Sequence, residues 1–121
     1  MLIFKFSPKE GKPRHPPKDY PALLQYNGDF KVEIDGKTFF SEPSFPIYEF
    51  LSQVNRWSLD ESVPTMLEYS SMETDDNPLI FFALQSDGSF CIGSPWQLYT
   101  CSKTFSIAEI REAIESLNRS M

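Results

Sequence analysis

Histidine and cysteine are nearly absent from this 121-residue chain, and their scarcity argues against most catalytic and metal-binding sites. The single histidine, His15, stands among prolines, so a Ser-His-Asp or Cys-His arrangement has no second histidine to draw on. Cys91 and Cys101 are ten positions apart, which matches no zinc-ligand spacing and indicates reduced thiols rather than a disulfide. We therefore expect no catalytic residue, no cofactor and no metal site.

Glycine is also scarce, and long apolar runs are missing. Four of the five glycines stand either in Asn-Gly or Asp-Gly pairs, which are typical of turns, or in the proline-rich basic segment at residues 8–21, so a glycine-rich phosphate loop is not expected. Gly93 is the exception, and we interpret it as a bulge or a strand break. The opening apolar run, Met1–Phe6, is too short for a signal-peptide core or a membrane span. We therefore expect a cytoplasmic protein that does not bind membranes.

Basic residues are missing from the 46 residues between Trp57 and Ser102, in a chain whose net charge is −6. Such a one-sided block repels nucleic acid and anionic membranes, and it attracts a basic protein partner. We therefore predict a basic partner and no nucleic acid. The seven acidic residues of this stretch are Asp60, Glu61, Glu68, Glu73, Asp75, Asp76 and Asp87.

The remaining composition is that of a folded domain. A hydrophobic content of 40% and an aromatic content of 15% are too high for a disordered acidic tail. The length suits one domain, so we predict a single domain over residues 1–121. Residues 8–21 hold five prolines together with several basic residues, and this composition predicts an extended surface loop because proline disrupts helix interiors and central strands.

Short alternating or apolar runs separated by turn dipeptides predict an antiparallel sheet. Turns are expected at Asn27-Gly28, Asp35-Gly36 and Asp87-Gly88. The continuous apolar run at Leu79–Leu84 suits a central strand. The other predicted strands are Leu2–Phe6, Ala22–Tyr26, Phe30–Ile34, Lys37–Ser41, Thr65–Ser70, Ser89–Ile92 and Trp96–Thr100.

Two apolar stripes at helical spacing predict helices at about 45–57 and 106–119. Ser44 is the expected cap of the first helix, and the second opens on the capping box Ser106–Glu109. Together these elements predict an α+β fold, in which an antiparallel sheet of about six to eight strands carries the two helices.

Several aromatic residues lie in or beside the stretch without basic residues, and aromatic side chains ringed by acids suit the binding of a basic partner. An alternative interpretation is that Trp57 and Trp96 belong to the core. The predicted partner-binding residues are Trp57, Asp60, Glu61, Glu68, Tyr69, Glu73, Asp75, Asp76 and Trp96.

Two segments, Phe39–Leu51 and Ser94–Gln97, resemble a family of small uncharacterised bacterial proteins. That resemblance covers most of the chain from about residue 25, and residues 8–21 do not match it. The size, acidity and α+β pattern also resemble immunity proteins of contact-dependent or polymorphic toxin systems. This second resemblance implies that the protein binds a cognate toxin, often a basic nuclease, and blocks its active site.

Three hypotheses follow for the function. The first is an immunity-type, non-enzymatic protein that docks on a basic toxin domain through the predicted residues. The second is a regulatory or scaffold domain that binds a host protein or a small molecule, with a homodimer left open. The third is an enzyme that uses carboxylates alone, for which Glu42, Glu49 and Glu68 are candidates because each neighbours an apolar element.

Overall fold

The computed structural model describes residues 1–9, 19–60 and 65–121, which form two antiparallel sheets and three helices. The predicted α+β class is confirmed, although the strands divide between two sheets. In chain order the elements are β1 (Leu2–Pro8), α1 (Tyr20–Gln25), β2 (Asn27–Ile34), β3 (Lys37–Pro46), α2 (Ile47–Leu59), β4 (Leu67–Tyr69), β5 (Ile80–Leu84), β6 (Phe90–Gly93), β7 (Thr104–Phe105) and α3 (Ile107–Ser120).

The first sheet is the meander β1-β2-β3. The predicted turn at Asp35-Gly36 connects β2 to β3, and both of its residues have positive φ. The predicted turn at Asn27-Gly28 is wrong, because both residues lie within β2 and Gly28 pairs with Pro8 of β1. A Cβ on Gly28 would collide with the Ser7 carbonyl oxygen, so glycine here allows close approach of two strands rather than a tight turn.

The segment before β2 also differs from its prediction. The expected strand at 22–26 is wrong, because Tyr20–Gln25 forms the short helix α1 with Pro21 in its first turn, where the missing N–H costs nothing. Most of the predicted proline-rich loop, residues 10–18 with His15, lies outside the described residues.

The second sheet has the order β4-β5-β6-β7. The apolar run predicted as a central strand forms β5, which pairs with a neighbour on each side. The expected strand at 96–100 is wrong, because Ser94–Gln97 folds into a turn in which the Gln97 N–H donates to the Ser94 carbonyl at 3.2 Å. Leu98 then donates its N–H to the Phe39 carbonyl of β3 at 2.8 Å, so this segment links the two sheets.

Both predicted helices are present. Helix α2 starts two residues later than expected because β3 continues through Pro46, and the predicted Ser44 cap is wrong: the N-cap is Pro46, without a side-chain hydrogen bond. The capping box of α3 is confirmed, with the Glu109 N–H donating to Ser106 Oγ at 3.1 Å. In the described part of the chain, no helix is both long and apolar enough to span a membrane.

Aromatic side chains join the two sheets in one cluster of buried residues. Phe50 of α2 is central to it, and its ring lies 5.1 Å from the ring of Phe30 in β2 and 5.1 Å from that of Tyr69 in β4. Phe4 of β1 bridges the sheets directly, with its ring 6.4 Å from that of Phe82 in β5. This shared core holds the end of β3 beside the loop that follows β4, and the candidate site lies between them.

Candidate binding site: an acidic cleft between the sheets

Residues 70–79, here called the acidic loop, connect β4 to β5. Its ends are joined by a hydrogen bond from the Leu79 N–H to the Tyr69 carbonyl at 2.8 Å. Inside it, Asn77 Nδ2 donates to the carbonyls of Ser71 and Thr74 at 2.9 and 2.7 Å, and Asn77 Oδ1 accepts from the Ser71 N–H at 2.9 Å. One amide side chain therefore supplies three of the hydrogen bonds that hold the backbone of the loop.

The acidic loop faces the last residues of β3 across a cavity of about 180 Å³, here called the acidic cleft. Phenylalanine, proline and leucine side chains supply apolar walls, and hydroxyl and carboxylate groups supply polar ones. The lining residues are Glu42, Ser44, Phe45, Pro46, Ser71, Glu73, Thr74, Leu79 and Trp96.

Trp96 reaches the cleft from the turn after β6 and is fixed by contacts to both sheets. Its ring is parallel to that of Phe40 in β3, with centroids 6.3 Å apart. Its indole Nε1 donates to Asp76 Oδ2 at 2.8 Å, and its backbone N–H donates to Ser94 Oγ at 3.0 Å. The indole is therefore held in place before any partner arrives, which lowers the entropic cost of binding.

The carboxylate of Glu49 lies buried behind the acidic loop. The Tyr69 hydroxyl donates to Glu49 Oε1 at 2.6 Å, and the Met72 N–H donates to Glu49 Oε2 at 3.1 Å. Glu49 also lies in the first turn of α2, where the helix dipole favours negative charge. These contacts attach the helix to the base of the loop.

The charges at the cleft repel one another. Burial raises the pKa of Glu73, and the nearby carboxylates of Glu49 and then Glu42 raise it further. Glu73 as a whole residue is exposed, so solvent screens part of this repulsion. Burial is the larger cause of the raised pKa, and the contribution of Glu49 and Glu42 adds a locally negative potential at the cleft.

A basic group lies on the rim of the cleft, where Lys9 Nζ donates to Ser44 Oγ at 2.5 Å. Among the described residues, the ion pairs of side chains join other acids: Glu33 with Lys5, Asp35 with Lys103, and Glu112 and Glu115 with Arg119. Neither Glu42 nor Glu73 has such a pair within the described ranges. The cleft therefore carries negative charge that the described part of the chain does not neutralise by direct contact.

Four of the predicted partner-binding residues come together here. Glu73 and Trp96 line the cleft, Asp76 holds the Trp96 indole, and Asp75 is exposed on the same loop. The prediction that Tyr69 binds a partner is wrong. Its side chain is fully buried and its hydroxyl donates to Glu49, so it belongs to the core rather than to a surface. The alternating burial of the three-residue strand β4 explains this, because Tyr69 faces inward and Glu68 faces solvent.

The other predicted residues lie apart from the cleft or outside the described part of the chain. Trp57 is at the far end of α2, about 15 Å along the helix from its first residue. Its ring packs edge-on against Phe90 at 5.9 Å and its Nε1 donates to the Thr65 carbonyl at 2.9 Å. Asp60 is exposed just beyond, and its carbonyl accepts from Arg111 Nη2 at 3.2 Å. Glu61 lies outside the described residues.

The β3 wall of the cleft was not among the predicted binding residues. Glu42 and Glu49 were considered only as carboxylates of an enzyme, and Glu68, the third of that set, is exposed on β4. A carboxylate and a hydroxyl two positions apart and shortly before a helix, Glu42 and Ser44, are a signal that could have marked this wall. Within the described ranges, no group of three or more His, Cys, Asp or Glu residues is arranged to hold a metal ion.

The fold and the site together define an α+β domain with a small, acidic cleft walled by aromatic side chains. The chain belongs to the DUF7878 family, a domain of unknown function whose family model matches residues 2–121. Comparison with curated proteins and with solved structures found no match. The family agrees with the resemblance to an uncharacterised family, whereas the likeness to immunity proteins stays a prediction.

Proposed function

We propose that this protein is a non-enzymatic binding domain, and that a basic protein docks on its acidic loop and acidic cleft. The observation that carries the proposal is the negative charge of Glu42 and Glu73, which no ion pair among the described residues neutralises. A basic side chain of a partner would supply the missing opposite charge at a place where solvent is partly excluded.

The arrangement of the loop favours binding by a preformed surface. Asn77 fixes the backbone of the loop, and Asp76 fixes the indole of Trp96, so little ordering remains for the partner to impose. Tryptophan is enriched among the residues that contribute most to protein interfaces. The net charge of −6 would also speed the encounter with a basic partner at low ionic strength.

In its particular form, the proposal is an immunity-type protein that acts in the cytoplasm and neutralises a basic toxin domain, such as a nuclease. The support for this form is the general resemblance to immunity proteins in size, acidity and α+β pattern. The partner would then present a basic surface, as an active site that binds nucleic acid does.

Capture from lysate of the native host at low and at high salt tests the proposal. We expect one basic protein to be retained at low salt and lost at high salt, because salt screens charges on an interface. The decisive variant is the triple reversal Glu73→Lys, Asp75→Lys and Asp76→Lys, which should abolish capture. The matched control is the triple reversal Asp29→Lys, Glu112→Lys and Glu115→Lys, which changes the net charge equally at exposed sites outside the loop. Equal loss in both variants would show that only net charge matters and would contradict the proposed site.

The second candidate function is a regulatory domain that binds a small molecule. The cavity of about 180 Å³ favours it for a ligand smaller than most drug-sized compounds and cofactors, because a flat protein interface does not require an indentation of this kind. In one version of this candidate the domain acts as a homodimer. Light scattering tests that version, because a stable homodimer would have twice the mass of the 14.0 kDa chain.

A further inference from the structure

We infer that the acidic cleft takes a single arginine side chain of the protein partner, with its guanidinium between Glu42 and Glu73. The inference rests on the proposed function and names the side chain of the partner that would bind in the acidic cleft. Three observations carry it: the size of the cavity, the two acidic lining residues contributed by different elements, and its apolar lining.

The size of the cavity limits its occupant. Pockets for drug-sized ligands and cofactors measure roughly 300–1,000 Å³. The cleft, at about 180 Å³, is below that range and suits one long side chain. It lies beside an exposed loop, so a side chain that projects from the surface of a partner can enter it while the partner backbone stays outside.

The chemistry of the walls favours arginine over lysine. Glu42 belongs to β3 and Glu73 to the acidic loop, so the two carboxylates approach the cavity from different elements. A planar guanidinium presents donors on several edges and can serve both, whereas an ammonium is a compact point charge. The half-buried ring of Trp96 offers an aromatic contact to the cation, while Phe45, Pro46 and Leu79 form the buried apolar floor beneath it.

Two positive features of the protein itself oppose this occupant. Lys9 lies on the rim through its bond to Ser44, and the N-terminus of α2 begins next to the lining residue Pro46. Glu49 lies in the first turn of that helix, where it offsets the helix dipole. Lys9 is exposed and adds positive charge at the rim, so Lys9→Gln should strengthen the binding of an arginine side chain.

The test uses a small-molecule probe in place of the partner. N-acetyl-L-arginine N-methylamide carries the arginine side chain without other charges, and the citrulline equivalent has nearly the same shape without the positive charge. In an NMR titration we expect the arginine probe to shift the Trp96 indole signal and the amides of Ser71 to Thr74, with a Kd on the order of 1 mM. The citrulline probe should leave these signals in place, and the lysine equivalent should bind more weakly.

Variants locate the binding within the protein. Glu42→Gln and Glu73→Gln should each weaken the arginine probe by about tenfold or more, because each removes a charge-assisted hydrogen bond. Asp75→Asn removes an acid of the same loop that does not line the cavity, so it should weaken the probe by less than about twofold. Equal weakening by all three variants, or shifts confined to other surfaces, would overturn the inference in favour of diffuse attraction. Thermal unfolding of each variant checks that it remains folded.

The inference and the proposed function fail in different ways. If the arginine probe leaves the cleft signals unchanged but the loop reversal still abolishes capture of a basic protein, the arginine assignment is wrong and the docking surface stands. If the probe binds with the expected dependence on Glu42 and Glu73 but no basic protein is captured, the cleft assignment stands and the proposed function is wrong.

Discussion

The hydroxyl of Tyr69 donates a hydrogen bond to the buried carboxylate of Glu49 and so links β4 to the first turn of α2. A buried charge is expensive unless hydrogen bonds compensate it. Glu49 obtains part of that compensation from Tyr69 and part from the Met72 N–H of the acidic loop. The stability of the core and the shape of the acidic loop therefore depend on the same carboxylate, that of Glu49.

At this residue we predict that Tyr69→Phe lowers the free energy of unfolding by about 1.5–3 kcal/mol, since it removes one hydrogen bond from a buried charged group. Urea unfolding followed by tryptophan fluorescence measures the loss. The matched control is Tyr99→Phe, which removes a hydroxyl from a half-buried ring and should change the free energy of unfolding by less than about 0.5 kcal/mol. If the two variants were equally stable, Tyr69 would not support Glu49 as described.

The burial of Tyr69 shows why single residues were hard to assign from sequence. Tyr69 stands next to Glu68 and near the acids of the loop, and that neighbourhood resembles an exposed aromatic among charges. A strand of three residues gives too short an alternation to show which face is buried. Trp96 lines the acidic cleft, and its bond to Asp76 depends on a fold that brings residues 20 positions apart together.

At the scale of elements, the acidic loop depends on the side chain of Asn77. We predict that Asn77→Ala lowers the free energy of unfolding by about 1–2 kcal/mol, because the carbonyls of Ser71 and Thr74 and the Ser71 N–H lose their partner. The same variant should shift the backbone amide signals of the loop. Asp75→Ala is the control, since it removes an exposed carboxylate from the same loop and should cost less than about 0.5 kcal/mol. Unchanged amide signals in Asn77→Ala would contradict this role.

The helices were predictable because their signals are local. The apolar stripe of α2 and the capping box of α3 placed both helices to within about two residues of their observed bounds.

The glycines were less informative about the fold, because glycine can be required either for a turn or for the close approach of two strands. Gly36 takes a positive φ in a turn, whereas Gly28 and Gly93 lie in strands where a Cβ would collide with Ser7 and with the ring of Phe81. Only the partner strand reveals the second use.

At the scale of the whole molecule, the cleft exists because the aromatic core joins two sheets. Its walls come from β3, from the acidic loop and from the turn after β6, which are separated by tens of residues. The sequence indicated the acidic stretch and its lack of basic residues. It did not indicate that β3 would supply Glu42 as the opposite wall, since pairing between sheets depends on long-range packing through Phe4 and Phe50.

Burial of Glu73, together with the negative charge around it, makes the stability of the whole molecule depend on pH at this residue. The pKa of Glu73 in the folded state is raised above its ordinary value of 4.5 by burial and by Glu49 and Glu42. Between 4.5 and the raised value the folded state binds more protons than the unfolded state, so stability falls as pH rises through this window. At neutral pH the ionised Glu73 therefore destabilises the fold, and Glu73→Gln should raise the free energy of unfolding by a few tenths of a kcal/mol.

Asp87, in the turn between β5 and β6, provides a control of opposite sign. Hydrogen bonds from the Ser89 hydroxyl and the Ser89 N–H lower its pKa below the ordinary value of 3.8. Its stabilising effect is present above pH 3.8 and is lost as pH falls through the lowered pKa, so Asp87→Asn should reduce stability at neutral pH.

Urea unfolding between about pH 7 and pH 3 compares the two variants with the wild type. The advantage of Glu73→Gln should shrink on acidification towards pH 4.5, while the deficit of Asp87→Asn should persist there and shrink only below pH 3.8. A Glu73→Gln advantage that stayed constant down to pH 3.8 would show that burial and the neighbouring carboxylates do not raise the pKa of Glu73.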